Sequence, residues 1–166
     1  IGDIVLATNA NHVVSDFFDT GEYTPRASVD TLANAMDVGA PSNLERLRYL
    51  YPEQKIYAAI LQVESVADDE IRTAIPATLA RHHEIVCPHT ACGMVALDRI
   101  HASGDQRDWC VVATAHPAKF ETVVESLIHR SIEVPQALQE LLARPASAEP
   151  LAPDLSALTG ILSETR

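Results

Sequence analysis

Apolar positions along the chain change period several times, and each change predicts an element. Ile4 to Thr8 (IVLAT) is a short run rich in β-formers, and Asn9 and Asn11 behind it predict caps for a helix through His12 to Phe18. Asp19 to Arg26, with Gly21 and Pro25, reads as a loop, and Ala27 to Val38 has no usable period. Ser42 and Glu45 offer a capping box for a helix from near Asn43, carrying Leu44, Leu47 and Leu50. Tyr57 to Val66 is apolar with helix-like spacing, and Asp68, Asp69 and Glu70 mark a further helix start. That helix should reach about Arg81, with Pro76 kinking it or splitting it in two.

Glu84 to Cys87 predicts a second strand, followed by a helix with Met94, Leu97 and Ile100 on one face. Trp109 to Ala113 (WCVVA) predicts a third strand, Thr114-Ala115-His116 a turn, and Pro117 the first residue of a helix carrying Phe120, Val123, Val124 and Leu127. Short strands alternating with helices make the expected fold α/β, a mostly parallel sheet with helices on both faces. Arg144 to Asp154 carries three prolines and reads as a linker before a last amphipathic segment at Leu155 to Leu162. The expected division is therefore 1–143, an α/β domain, and 144–166, linker and short terminal helix.

Composition narrows the function classes. With 166 residues, 47% hydrophobic and 21% charged, the chain can bury a core without disulfides. A net charge of −11 repels phosphate backbones and anionic lipid, so neither nucleic acid nor a membrane surface is an expected partner. Charges and prolines interrupt every run long before a membrane span. Three cysteines, an odd number, and the lack of an apolar leader favour a reducing compartment, the cytoplasm. The chain opens at Ile1 into a strand-like run, which reads as a piece of something longer.

Cys87-Pro88-His89-Thr90-Ala91-Cys92, with Cys110 and His116 further on, supplies ligands a zinc ion would accept, but no pair at ligand spacing is matched by a second pair. Buried cysteines acting as small hydrophobes are the plainer reading. Among the seven histidines, His82, His83, His101 and His129 fall at helix ends, where His⁺ complements the dipole. Thr8, His89, Thr90, Thr114 and His116 instead fall at or beyond the ends of expected strands, where parallel sheets bind ligands, or else they simply cap helices. There is no glycine-rich phosphate loop and no G-x-S-x-G elbow. The two lysines, Lys55 in a polar stretch and Lys119 in a first helical turn, read as solvated charges rather than Schiff-base formers.

Four stretches stand in order along the chain: IVLATNANHVVSDFFDTGEY (Ile4 to Tyr23), LANAMDVGAPSNLERL (Leu32 to Leu47), PHTACG (Pro88 to Gly93) and ATAHPAKF (Ala113 to Phe120). Together they resemble the motifs of the threonine synthase family of fold-type II pyridoxal-phosphate enzymes, the last letter for letter. The resemblance implies an incomplete part of that fold's large domain, from the carboxy-terminal portion, with the phosphate loop and Schiff-base lysine upstream. It implies a full-length lyase that uses pyridoxal 5'-phosphate to convert O-phospho-L-homoserine and water to L-threonine and phosphate, in threonine biosynthesis. Alone the chain is expected to be inactive and not to hold the cofactor; its partners are the remaining amino-terminal part of the enzyme, the small-molecule substrate and, through exposed apolar sheet surface, further copies of itself.

By the same resemblance Thr114 is the hydroxyl that meets the cofactor's pyridine nitrogen; a hydroxyl can donate there without forcing a charge on the ring. Asn34 to Asn43 is placed on the substrate side, and His116 and Lys119 receive no role. The chain departs from the family at Ala33-Asn34-Ala35, at Cys87 and in a short Leu50–Asp68 connection. The competing class is a non-catalytic α/β module, either a regulatory binding domain or one that holds a metal through Cys87, His89 and Cys92.

Overall fold

The computed structural model describes residues 2–51, 60–148 and 150–164. Strand β1 (Ile4–Thr8) pairs in parallel with β2 (Ile60–Ser65), with Val5 opposite Gln62, Leu6 opposite Val63 and Thr8 opposite Ser65. Side chains close the carboxyl ends of the pair. Thr8 Oγ1 donates to Glu64 O at 3.3 Å, Ser65 Oγ to Asn9 O at 2.9 Å, and the Val66 amide to Thr8 O at 2.9 Å.

Helix α1 (Val13–Thr20) returns over the strands and buries Val13 and Phe17. Phe17 meets Leu44 and Ile60 in a cluster edged by Leu6, Leu47 and Val63, so α1, α2 (Asn43–Leu50) and the sheet share one core. α1 ends at Gly21, whose φ of 78° is left-handed and whose amide returns to Phe17 O. Helices α3 (Asp68–His82) and α4 (Pro88–Ala102) pack together; α4 also lies against β1, and α5 (Glu121–Ile128) against α3. Arg99 on α4 binds Glu64, Ser65 O at 3.0 Å and Glu70 at 2.6 Å, tying α4 to β2 and to the start of α3.

The chain clusters into two units, Ile1–Glu133 and Val134–Arg166, the second holding α6 (Gln136–Leu142) and α7 (Leu155–Glu164). The first unit thus ends ten residues ahead of the boundary expected at Ala143. The expected linker, through Asp154, has no helix or strand in its described residues.

The architecture is α/β with a small parallel sheet, as expected, but several elements differ. The helix-like Tyr57 to Val66 is strand β2 over Ile60–Ser65, residues 57–59 lying outside the described residues. A short apolar run satisfies both periods, and the unpaired backbone of β1 selects the extended one. Glu84 to Cys87 and Trp109 to Ala113 are not strands. A strand needs a neighbour to complete its ladder, and among the described residues neither segment has one.

The caps also move. α1 has no side-chain cap from Asn9 or Asn11, and Ser42 makes no capping bond to α2. The reciprocal partner appears at α3, where Glu70 accepts the Ala67 amide at 3.0 Å. α3 runs unbroken through Pro76. A mid-helix proline costs about 3 kcal/mol, and burying Ile71 and Ile75 at about 1.5–3 kcal/mol each offsets it.

Candidate active site

The loop between α1 and α2 is held over the carboxyl end of β1 by a buried polar network. Asn9, fully buried, gives its side-chain amide to Thr31 Oγ1 (2.7 Å), Ala33 O (3.2 Å) and Asp37 Oδ1 (2.7 Å), and its own Oδ1 accepts the Asn11 amide at 2.9 Å. Asn11 pairs with both backbone groups of Val29, at 2.9 and 2.8 Å, and donates to Asp37 at 3.1 Å. The Asp37 carboxylate further accepts the Thr31 hydroxyl at 2.7 Å and the Thr31 amide at 3.0 Å. Below, the Arg26 amide donates to Gly39 O at 2.9 Å, and a Cβ on Gly39 would stand 1.9 Å from Arg26 O, so only glycine closes the loop there.

Two side chains outside the loop finish the clamp: Asp68 accepts the Leu32 amide at 3.0 Å, and His89 Nε2 accepts the Ala35 amide at 3.0 Å. His89 sits in the first turn of α4, its ring tilted on Phe120 at 4.8 Å. Accepting through Nε2 requires a neutral ring with its proton on Nδ1. Burial pushes the His89 pKa below its ordinary value; Asp37 opposes that and Lys119 adds to it. With the folded pKa depressed, this contribution is complete above the unfolded value of about 6.5 and is lost as pH falls through the lower folded one. The unfolding midpoint in urea should therefore fall between pH 7.5 and pH 5.5, and fall less in His89→Gln; equal losses in the two proteins would remove His89 from the clamp.

Next to the clamp a cleft of about 1060 Å³ opens between β1, α4 and the segment before Pro117. Of the residues placed at strand ends by sequence, Thr114 and His89 line it, joined by Lys119 from the turn that follows. The Thr114 hydroxyl has no hydrogen bond among the described residues and is exposed. The others are spent on structure. Thr8 bonds the β2 backbone, Thr90 touches Cys87 Sγ at 3.3 Å, and His116 caps the 3-10 turn Pro117–Phe120 by accepting the Ala118 amide at 3.2 Å. From the Asn34 to Asn43 stretch, Met36 and Ala35 reach the cleft. Lys55 lies outside the described residues.

The metal-holding alternative has no geometric support. Among the described residues no cluster of three His, Cys, Asp or Glu could hold an ion; Cys87 Sγ and His89 Nδ1 are 4.0 Å apart, and burial, with Asp68 behind it, pushes the Cys92 thiol up to about 12, far from a ligating thiolate. Sequence reasoning missed Asn9, Asn11, Asp37 and Asp68 as the loop's anchors. The available sign was that Asn9, Asn11 and Asp37 all fall inside the two first motif stretches.

Residues 90–161 match the family model described as threonine synthase, C-terminal. The threonine synthase of Buchnera aphidicola from Schizaphis graminum is 29% identical over 165 residues, 99% of this chain and 38% of that protein. Among solved structures, threonine synthase from Escherichia coli superposes with a TM-score of 0.79 at 28% identity, over 100% of this chain and 38% of that one. PLP-bound threonine synthase from Brucella melitensis shares the fold, with a TM-score of 0.71 at 23% identity over 99% of this chain and 40% of that one. The chain thus spans well under half the length of the relatives it matches.

Proposed function

We propose that the chain is a carboxy-terminal portion of a threonine synthase and that it completes a pyridoxal-phosphate-dependent lyase converting O-phospho-L-homoserine and water to L-threonine and phosphate. One observation supports this reading above the rest: the four motif stretches meet at one place. The first and second interlock through Asn9, Asn11 and Asp37; the third reaches the second through His89 and Ala35; the fourth meets the third where Phe120 packs on His89. Thr114 stands at the same cleft with its hydroxyl uncommitted.

The donor set fits the pyridine end of the cofactor. A threonine hydroxyl at a ring nitrogen can donate without requiring a charge there, whereas a carboxylate would demand one. When bound, the cofactor supplies an electron sink for carbanion chemistry. The chain's own part is to hold Thr114 at the ring, to keep the Leu32–Asp37 loop docked beside it through Asn9, Asp68 and His89, and to exclude water with the apolar face of α4. The residues that would anchor the phosphate and the Schiff base belong, on this reading, to the amino-terminal part of the enzyme, the chain's partner. No helix among the described residues is long and apolar enough to cross a membrane; a cytoplasmic enzyme is the proposed setting.

The test is a chimera in which this chain replaces the matched carboxy-terminal part of the Escherichia coli enzyme, placed in a threonine auxotroph. Growth without threonine, and phosphate release from O-phospho-L-homoserine by the purified chimera, are the expected results. The chain alone, mixed with the cofactor, should give neither turnover nor a borohydride-trapped adduct. A folded, cofactor-loaded chimera that releases no phosphate overturns the reading, as does turnover by the chain alone.

A further inference from the structure

We propose that Lys119 is a positioning residue that acts through His89: its cation, beside the imidazole, disfavours a charge on that ring and so keeps the Asn34–Met36 turn docked at the wall of the cleft. The inference rests on the reading of the cleft as the site of the lyase and gives a role to a cation that lines it.

The contact at stake depends on protonation. The turn Asn34–Met36 reaches α4 through the Ala35 amide, which donates to His89 Nε2 at 3.0 Å. Neutral imidazole with its proton on Nδ1 accepts there, whereas imidazolium carries a proton on both nitrogens and sets donor against donor. Ala35 and Met36 both line the cleft, so losing that contact frees part of its wall.

His89 stands between opposite charges. On the loop side the Asp37 carboxylate, fixed by Asn9, Asn11 and Thr31, favours the imidazolium. On the other side the 3-10 turn Pro117–Phe120 lays Phe120 against the ring at 4.8 Å. One position earlier in that turn is Lys119, its amide held on His116 O at 3.1 Å. Burial disfavours the imidazolium most, Asp37 opposes burial, and Lys119 offsets Asp37.

The other titratable groups near the ring are engaged elsewhere. Cys87 Sγ is 4.0 Å from Nδ1 and also meets Thr90 Oγ1; His116 accepts the Ala118 amide, and Asp68 the Leu32 amide. Asp3 and Arg107, bonded to each other at 2.6 Å, and Asp108 next to them in sequence, line the cleft at the start of β1. Lys119 is exposed and makes no ion pair among the described residues, so no carboxylate there neutralises it. Read from sequence it is a solvated charge; placed on this turn, its field falls on the ring that the loop uses.

Histidine titration by NMR on the chain itself decides it. In Lys119→Met the ratio of protonated to neutral His89 at pH 6, read from its Cε1 proton, should rise about two- to fivefold. The Ala35 amide resonance should titrate at correspondingly higher pH. Lys119→Arg should behave as the parent chain, and in 1 M salt, where the screening length is about 3 Å, the effect of Lys119→Met should shrink. Both substitutions are at an exposed position and leave packing alone. In a His89→Gln background, where an amide oxygen accepts without titrating, Lys119→Met should leave the Ala35 amide unmoved. An unchanged His89 ratio in Lys119→Met overturns the inference, as does the same rise in Lys119→Arg, or an Ala35 amide that answers Lys119→Met without His89. In the catalytic chimera the acid limb of kcat/KM should move to higher pH in Lys119→Met and return in Lys119→Arg; a limb that stays in place overturns the positioning role too. The titration is read without catalysis, so a chimera that releases no phosphate sinks the proposed function alone, and an unmoved His89 in a working chimera sinks the role of Lys119 alone.

Discussion

Thr114→Val, made in the catalytic chimera, should lower turnover about ten- to a hundredfold while leaving the chain's stability within about 0.5 kcal/mol. The substitution nearly conserves volume and removes only the hydroxyl. That hydroxyl has no protein partner among the described residues and stands in the cleft, so the fold loses nothing with it. A hydrogen bond made to the cofactor ring is worth about 1–3 kcal/mol when its loss leaves a buried group unpaired, which converts to the stated range if felt in the transition state. Thr114 as a mere cap would instead predict a stability loss of about 1 kcal/mol with turnover per folded enzyme unchanged. The capping bond at this turn is made by His116. The absorption spectrum of the bound cofactor and turnover of the folded variant decide the matter: unchanged values in both would remove Thr114 from the site.

Asn9→Ala should destabilise the chain by about 3–5 kcal/mol, a large share of the roughly 5–15 kcal/mol typical of a folded domain. Asn9 is fully buried and joins β1 to Thr31, Ala33, Asp37 and Asn11. Truncation removes several bonds worth about 0.5–1.5 kcal/mol each and leaves Asn11 and the Asp37 carboxylate short of partners inside the protein. For about 160 residues each kcal/mol shifts the melting temperature by about 2–4 °C, so a fall of about 6–20 °C is expected. Asn9→Asp separates electrostatics from shape. It sets a second carboxylate about where the amide stood, 2.7 Å from Asp37 Oδ1, and should be worse at pH 7 than at pH 5. A melting temperature lowered by less than 2 °C in Asn9→Ala would show that the loop docks without this network.

Much of the fold is written locally. Gly21 ends α1, Asp68 to Glu70 open α3, Pro88 and Pro117 begin helical turns, and His83 and His129 stand left-handed at helix ends where sequence placed histidines. Each depends on residues within a turn of one another, which a sequence displays directly. The four motif stretches, too, were legible as strings. Their convergence was not, because contacts such as Ala35 to His89 span 54 positions and depend on how helices pack.

By itself, then, the sequence determined the α/β class and the helix ends and displayed the four motif strings, since local backbone preference and motif order are carried by neighbouring residues. Tertiary structure alone decided that Ile60–Ser65 is a strand, that Trp109–Ala113 lacks a ladder and that Asn9 anchors a loop instead of capping a helix. A strand exists only with a partner, and a buried amide takes whichever acceptors the fold brings to it; both are settled by groups distant along the chain.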